Sequence, residues 1–282
     1  MTRAFYFNML DRNARRVTIA CMRCVGWMMA ILLLARVAAG ADKVDPLAKA
    51  RTLYNQGDFE GAVTAAEEVR RLLPARADSA DLIAARAYLE RFRESDQSDD
   101  LTNARDRLRR INSEQLAAGE RAELVVGLGE ALYFEDSVGA AADMFDSILA
   151  RMYLVPEARE RILDWWATAV DRDAQPRSDF ERQSIYLRIR ERMRVELGIN
   201  PASAAASYWL AAAARSQGDW RGAWVAAQAG WVRAPLAPDH GEALRGDLDR
   251  LMELAILPER ARSQAQPVDV FRGEWEEFKA RW

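Results

Sequence analysis

Apolar side chains recur every three or four residues along most of the chain. The rows Ile185, Ile189, Met193 and Leu197, then Leu244, Leu248, Leu251 and Ala255, then Phe271, Trp275, Phe278 and Trp282 each mark one face of a helix. No stretch alternates apolar and polar residues over strand lengths, so the pattern predicts an all-α chain. Helices are expected over 181–196, over 239–256 and close to the C-terminus. Polar runs at 94–100 and 263–267 and the prolines Pro74, Pro201, Pro235 and Pro258 are expected to separate helices.

The pattern repeats. Gln56-Gly57-Asp58-Phe59-Glu60-Gly61-Ala62 returns as Gln217-Gly218-Asp219-Trp220-Arg221-Gly222-Ala223, and Ala65 and Ala66 match Ala226 and Ala227. Both copies close on a proline 17 residues after the first glycine, Pro74 and Pro235. A weaker copy holds Leu128-Gly129, Leu132, Asp136 and Gly139-Ala140. Each copy reads as helix, tight turn, helix: glycine ends the first helix in a left-handed cap, aspartate caps the second, and alanine lets the pair approach closely.

These units resemble tetratricopeptide repeats. The motif is recognisable at 43–76, 122–155 and 204–237, with degenerate units at 78–116 and 156–200. The resemblance implies a right-handed α-solenoid of about five helix pairs over 42–257. The helix at 239–256 would cap its last apolar face, and a linker and a short aromatic amphipathic helix would occupy 258–282. Ala62 to Ala140 spans 78 residues and Ala140 to Ala223 spans 83, a mean step near 40, where the family repeats at about 34. Longer helices and inserted loops at 94–100 and 171–178 would account for the excess, and a HEAT-type solenoid stays open as an alternative.

The first forty residues read as a leader. Cys24–Ala35 is an apolar run of 12 residues, preceded by Arg12, Arg15, Arg16 and Arg23 and followed by Ala39-Gly40-Ala41. This is the layout of a signal peptide over 1–41, with Met22 as a possible true start and an uncleaved inner-membrane anchor as the alternative. The expected location is therefore exported and periplasmic. Six arginines and one aspartate lie in the leader, so 42–282 carries 34 basic against 42 acidic side chains, a net charge of −8, and no cysteine. Without disulfides, stability must come from packing. The acidic balance gives no reason to expect nucleic acid as a partner.

One histidine, His240, and two leader cysteines leave little for metal or nucleophile chemistry. His240 reads as a surface or capping residue, and Glu135-Asp136 as part of an inter-helix turn. No catalytic residue, cofactor or metal site is expected, and the chain is read as a non-enzyme. In tetratricopeptide folds the first helix of each pair lines a concave groove that takes partner peptides. That resemblance nominates Tyr54, Tyr133, Phe134, Tyr208 and Arg215 as partner-binding residues, Tyr and Arg combining contact area with hydrogen-bonding heads. Trp220 falls in the aromatic packing slot. Trp224 and Trp231 either pack on the cap helix or form an exposed patch. Phe271, Trp275, Phe278 and Trp282 either fold back as a second cap or dock into a partner, and Glu274, Glu276 and Glu277 argue against an anionic membrane.

The expected function is a scaffold or adaptor of the cell envelope holding a protein or peptide partner in its groove. The alternatives are a structural subunit of an envelope machine docked through its C-terminal helix, and an enzyme acting on wall or peptide substrates.

Overall fold

A computed structural model describes residues 45–150 and 156–282, so the leader reading lies outside the described residues. Every regular element among them is helical: α1 (Pro46–Asn55), α2 (Phe59–Leu72), α3 (Ala77–Ser95), α4 (Ser98–Leu108), α5 (Ala118–Phe134), α6 (Val138–Leu149), α7 (Pro156–Ala174), α8 (Asp179–Ile199), α9 (Ala204–Ser216), α10 (Trp220–Arg233), α11 (Glu242–Leu251), α12 (Leu257–Gln264) and α13 (Val268–Arg281). No helix among the described residues is long and apolar enough to cross a membrane.

The two strong sequence copies fold as α1–α2 and α9–α10. Gly57 and Gly218 sit at φ +79° and +77°, a left-handed conformation natural to glycine. Just beyond them, Asp58 and Asp219 accept the backbone N–H of Gly61 (2.9 Å) and Gly222 (2.8 Å). Each turn is also closed by a backbone bond that spans five residues, Asp58 N to Leu53 O and Asp219 N to Ala214 O, both 3.0 Å.

The weaker copy, α5–α6, closes the same way through Ser137 N to Leu132 O at 2.9 Å. Its left-handed residue is Asp136, at φ 67°. Asp136 thus stands where the others have glycine, not where they have the capping aspartate. The equivalent of Ala62 and Ala223 is therefore Ala141, which is fully buried, and not Ala140, which is exposed.

The long period comes from helix length. α3 and α7 have 19 residues each and α8 has 21. The expected loop at 94–100 shrinks to Asp96 and Gln97, and that at 171–178 to residues 175–178, because α3 and α7 run on through the polar stretches.

Successive helices pack together throughout, and α1 also packs on α3, α3 on α5, α7 on α9 and α9 on α11. The seams are alanine-rich: Ala50, Ala62, Ala66, Ala80, Ala84 and Ala85 fill the N-terminal one. Gly129 serves the same purpose in α5, where an added Cβ would lie 2.7 Å from the Phe145 ring. Trp166, Trp209 and Trp275 are the largest fully buried side chains.

The cap helix does not end at Pro258. α11 passes through a π turn, Met252–Ile256, into α12. The wider turn is closed by Leu257 N to Met252 O, and Pro258, which can donate no backbone bond, follows as the second residue of α12. The 258–264 link is therefore helical. After a left-handed Ala265, α13 packs against α12.

Candidate partner-binding face

Tyr54, Tyr133 and Arg215 occupy one structural position. Each lies three residues before the left-handed residue of its turn (Gly57, Asp136, Gly218), on the first helix of its pair. Their surroundings differ. The Tyr54 ring sits 5.8 Å from Phe59, and its hydroxyl lies 3.4 Å from Glu90 and 3.5 Å from Arg86. Burial pushes that hydroxyl's pKa up. Tyr133 is buried, edge-on to Trp165 at 5.0 Å, with the Arg172 guanidinium 5.1 Å over its ring. Arg215 grips one Glu259 oxygen through Nε (2.8 Å) and Nη2 (2.6 Å).

Phe134 is partly buried, edge-on to Phe92 at 5.0 Å and to Trp165 at 5.7 Å. Tyr208 lies edge-on to Trp209 at 5.6 Å, its hydroxyl pKa raised strongly by burial and then by Asp247 and Asp164. These residues anchor neighbouring helices while Tyr54, Phe134, Tyr208 and Arg215 keep part of their surface in solvent.

The terminal stripe splits. Phe271 is 1% exposed and Trp275 fully buried, in one cluster with Leu244, Leu248, Met252 and Ile256, so neither is a free docking residue. Phe278 is partly buried, stacked on Trp275 at 5.6 Å. Trp224 and Trp231 pack on Trp275 (6.0 and 5.3 Å), which places them against α13. Trp282 alone of the stripe remains exposed, at 64%.

Trp220 also departs from its expected place. It is partly buried, outside the hydrophobic clusters, and lines a shallow cavity of about 580 Å³ with Arg215, Ser216, Gly218, Glu259, Arg262 and Ser263. The reason lies in the shared turn position. Phe59 packs on Tyr54, whereas Trp220 faces a copy in which Arg215 replaces that tyrosine, and Arg221 and Arg260 cover its ring instead at 5.5 and 5.7 Å.

A row of buried or partly buried polar groups crosses the same first helices. Arg86 on α3 lies 3.3 Å from Glu130 on α5, both beneath the surface. Burial pushes the Glu130 carboxyl up while Arg86 pulls it down. On α7, Asp164 accepts the Trp209 indole N–H at 2.8 Å. Burial raises its pKa to about 6, with Asp247 and Glu160 adding to the rise. Nothing in the repeat motif singled these residues out. The signal was a charge inside an apolar run, as in Ala84-Ala85-Arg86-Ala87 and Leu163-Asp164-Trp165.

Glu135 and Asp136 sit in the expected turn, paired with Arg105 (2.9 Å) and Arg172 (2.7 Å). His240 is exposed at φ 55° in the turn before α11. Among the described residues, no three His, Cys, Asp or Glu side chains gather closely enough to hold a metal ion. No protein-family model and no curated protein matches the chain.

Proposed function

We propose that the chain is a non-catalytic scaffold, a right-handed tetratricopeptide-like solenoid that holds a protein or peptide partner on the face lined by its first helices, and that it acts in the cell envelope after export. The observation that carries this reading is the shared position of Tyr54, Tyr133 and Arg215 beside turns of one construction. It is what a repeated structural unit would give, with the side chain varied from copy to copy. Packing of α3 on α1 and α5, and of α9 on α7 and α11, supports rows of such helices in each half of the chain. Side chains already fixed by neighbours would lose little freedom on binding.

A second reading has one observation behind it. Trp282 is exposed at the end of α13, where it offers an aromatic anchor for a structural subunit docked through its C-terminal end.

Affinity capture from envelope extract, with the whole chain as bait beside Arg215→Ala and Trp282→Ala, separates the two. Loss of the captured partner with Arg215→Ala supports the groove. Loss only with Trp282→Ala moves the function to the terminal helix. Retention by both rejects the two sites together.

A further inference from the structure

α8 is apolar on two opposite faces. Tyr186, Ile189 and Met193 are buried inside the protein, as the sequence stripe requires. On the other side Phe180 is 88% exposed, Leu187 45%, Val195 59% and Ile199 66%. At 3.6 residues per turn these four fall within about a third of the helix circumference. Ser184, Arg188 and Glu191 share that sector, so the outer side is a mixed strip of apolar and charged side chains, the composition of a protein interface rather than of a plain solvated face.

The outer face is complementary to itself when two copies run in opposite directions. Its large knob, Phe180, lies near the N-terminal end. Near the other end is Gly198, exposed and with nothing within 4 Å of an added Cβ, beside Ile199. A twofold axis between Ile189 and Arg190 sets Phe180 of each copy against Gly198 and Ile199 of the other, and Ser184 against Val195.

The same axis sets Arg188 against Glu191, twice. Those charges suit the pairing. Arg188 (3.1 Å) and Arg192 share the single carboxylate of Asp146, which leaves positive charge in surplus there. Glu191 is exposed and, among the described residues, takes no part in the ion pairs of α8. Arg188 is also held over the Trp166 ring at 5.4 Å, so its head is placed before any partner arrives.

We infer that the outer face of α8 is a homodimer interface, in which two copies of this chain pack α8 on α8 antiparallel, Phe180 into the notch at Gly198 and Arg188 onto Glu191. A C2 contact of this kind uses one patch twice. One helix face against another falls at the small end of specific interfaces, below about 1,200 Å² in total, so the dimer is weak and concentration-dependent. The inference is independent of the groove and of Trp282.

Sedimentation velocity of the whole chain, from low to high micromolar concentration, tests it. The expected result is a monomer–dimer equilibrium whose dissociation constant rises tenfold or more in Phe180→Asp, in Gly198→Trp and in Glu191→Arg. Helix content and urea midpoint should stay near wild type, because all three sites face solvent. Glu191→Arg reads the orientation, since only the antiparallel register opposes it to Arg188. A chain that stays monomeric throughout overturns the inference. So does a dimer indifferent to all three substitutions, which would place the contact at the leader or on another face.

Discussion

Trp209 donates its indole N–H to Asp164 across the α7–α9 seam, at 2.8 Å. Among the described residues no cation forms a salt bridge with the acceptor, and it has the carboxylates of Asp247 and Glu160 for neighbours. Its folded-state pKa of about 6 lies above the ordinary 3.8. The folded protein therefore holds this proton more tightly than the unfolded chain does, and ionisation works against folding.

Stability should accordingly fall as pH rises from about 4.5 through 7, by on the order of 2 kcal/mol from this group. Asp164→Asn keeps an acceptor for Trp209 and removes the charge. Urea unfolding across that range is expected to give a flatter profile for the variant and a higher midpoint at pH 7. An unchanged slope would mean that the carboxylate is solvated.

Asp136 occupies a left-handed conformation in which the other two turns place glycine. Asp136→Gly should stabilise the protein by about 0.5–1 kcal/mol, the relief of strain partly offset by a freer unfolded chain. Its exposed pair with Arg172 (2.7 Å) contributes little to set against that gain. Thermal unfolding checks the sign, and a lower midpoint would contradict the assignment of the turn.

Gly129→Ala should destabilise by about 1–3 kcal/mol, because the new methyl meets Phe145 at 2.7 Å in a packed seam. Gly129→Ala combined with Phe145→Leu should recover part of the loss, measured as a double-mutant cycle in urea.

Asp81 is buried at 3% exposure and binds Arg107 (2.8 Å), Arg110 (3.1 Å) and Arg70 (3.5 Å), tying α3 to α2 and α4. Removing it leaves the buried Arg107 with Glu67 alone and strips the acceptor from Arg70 and Arg110, so Asp81→Ala should cost about 3 kcal/mol. A cost below about 0.5 kcal/mol would show a solvated pair.

Deleting 268–282 would strip Phe271 and Trp275 from the C-terminal core. Trp275→Ala alone is expected to cost about 3–5 kcal/mol. Partner loss on deletion therefore reports a damaged core, and Trp282→Ala is the substitution that examines docking.

The helices and their turns were legible because they depend on local rules: glycine followed by aspartate, alanine at helix contacts, apolar spacing of three and four. The α5–α6 register was not, since Asp136 has the identity of a cap and the geometry of a glycine. Trp220 misled for a related reason: whether an aromatic at that place is covered depends on residue 54 or 215 across the turn, and the motif leaves that residue free. Asp164 and Glu130 escaped because burial of a single charge is decided by helices distant in sequence. Pro258 marked a break in the α-helical bonding pattern, but the π turn absorbed it.

The packing pattern bears on how the chain folds. Helices settle mainly on those next to them or one further along, so few contacts must wait for long loops to close. Low contact order of that sort favours faster folding than a chain of this length with mostly non-local pairings would show. It also means that local openings need not spread across the chain, and hydrogen exchange should fall into several protection classes rather than one.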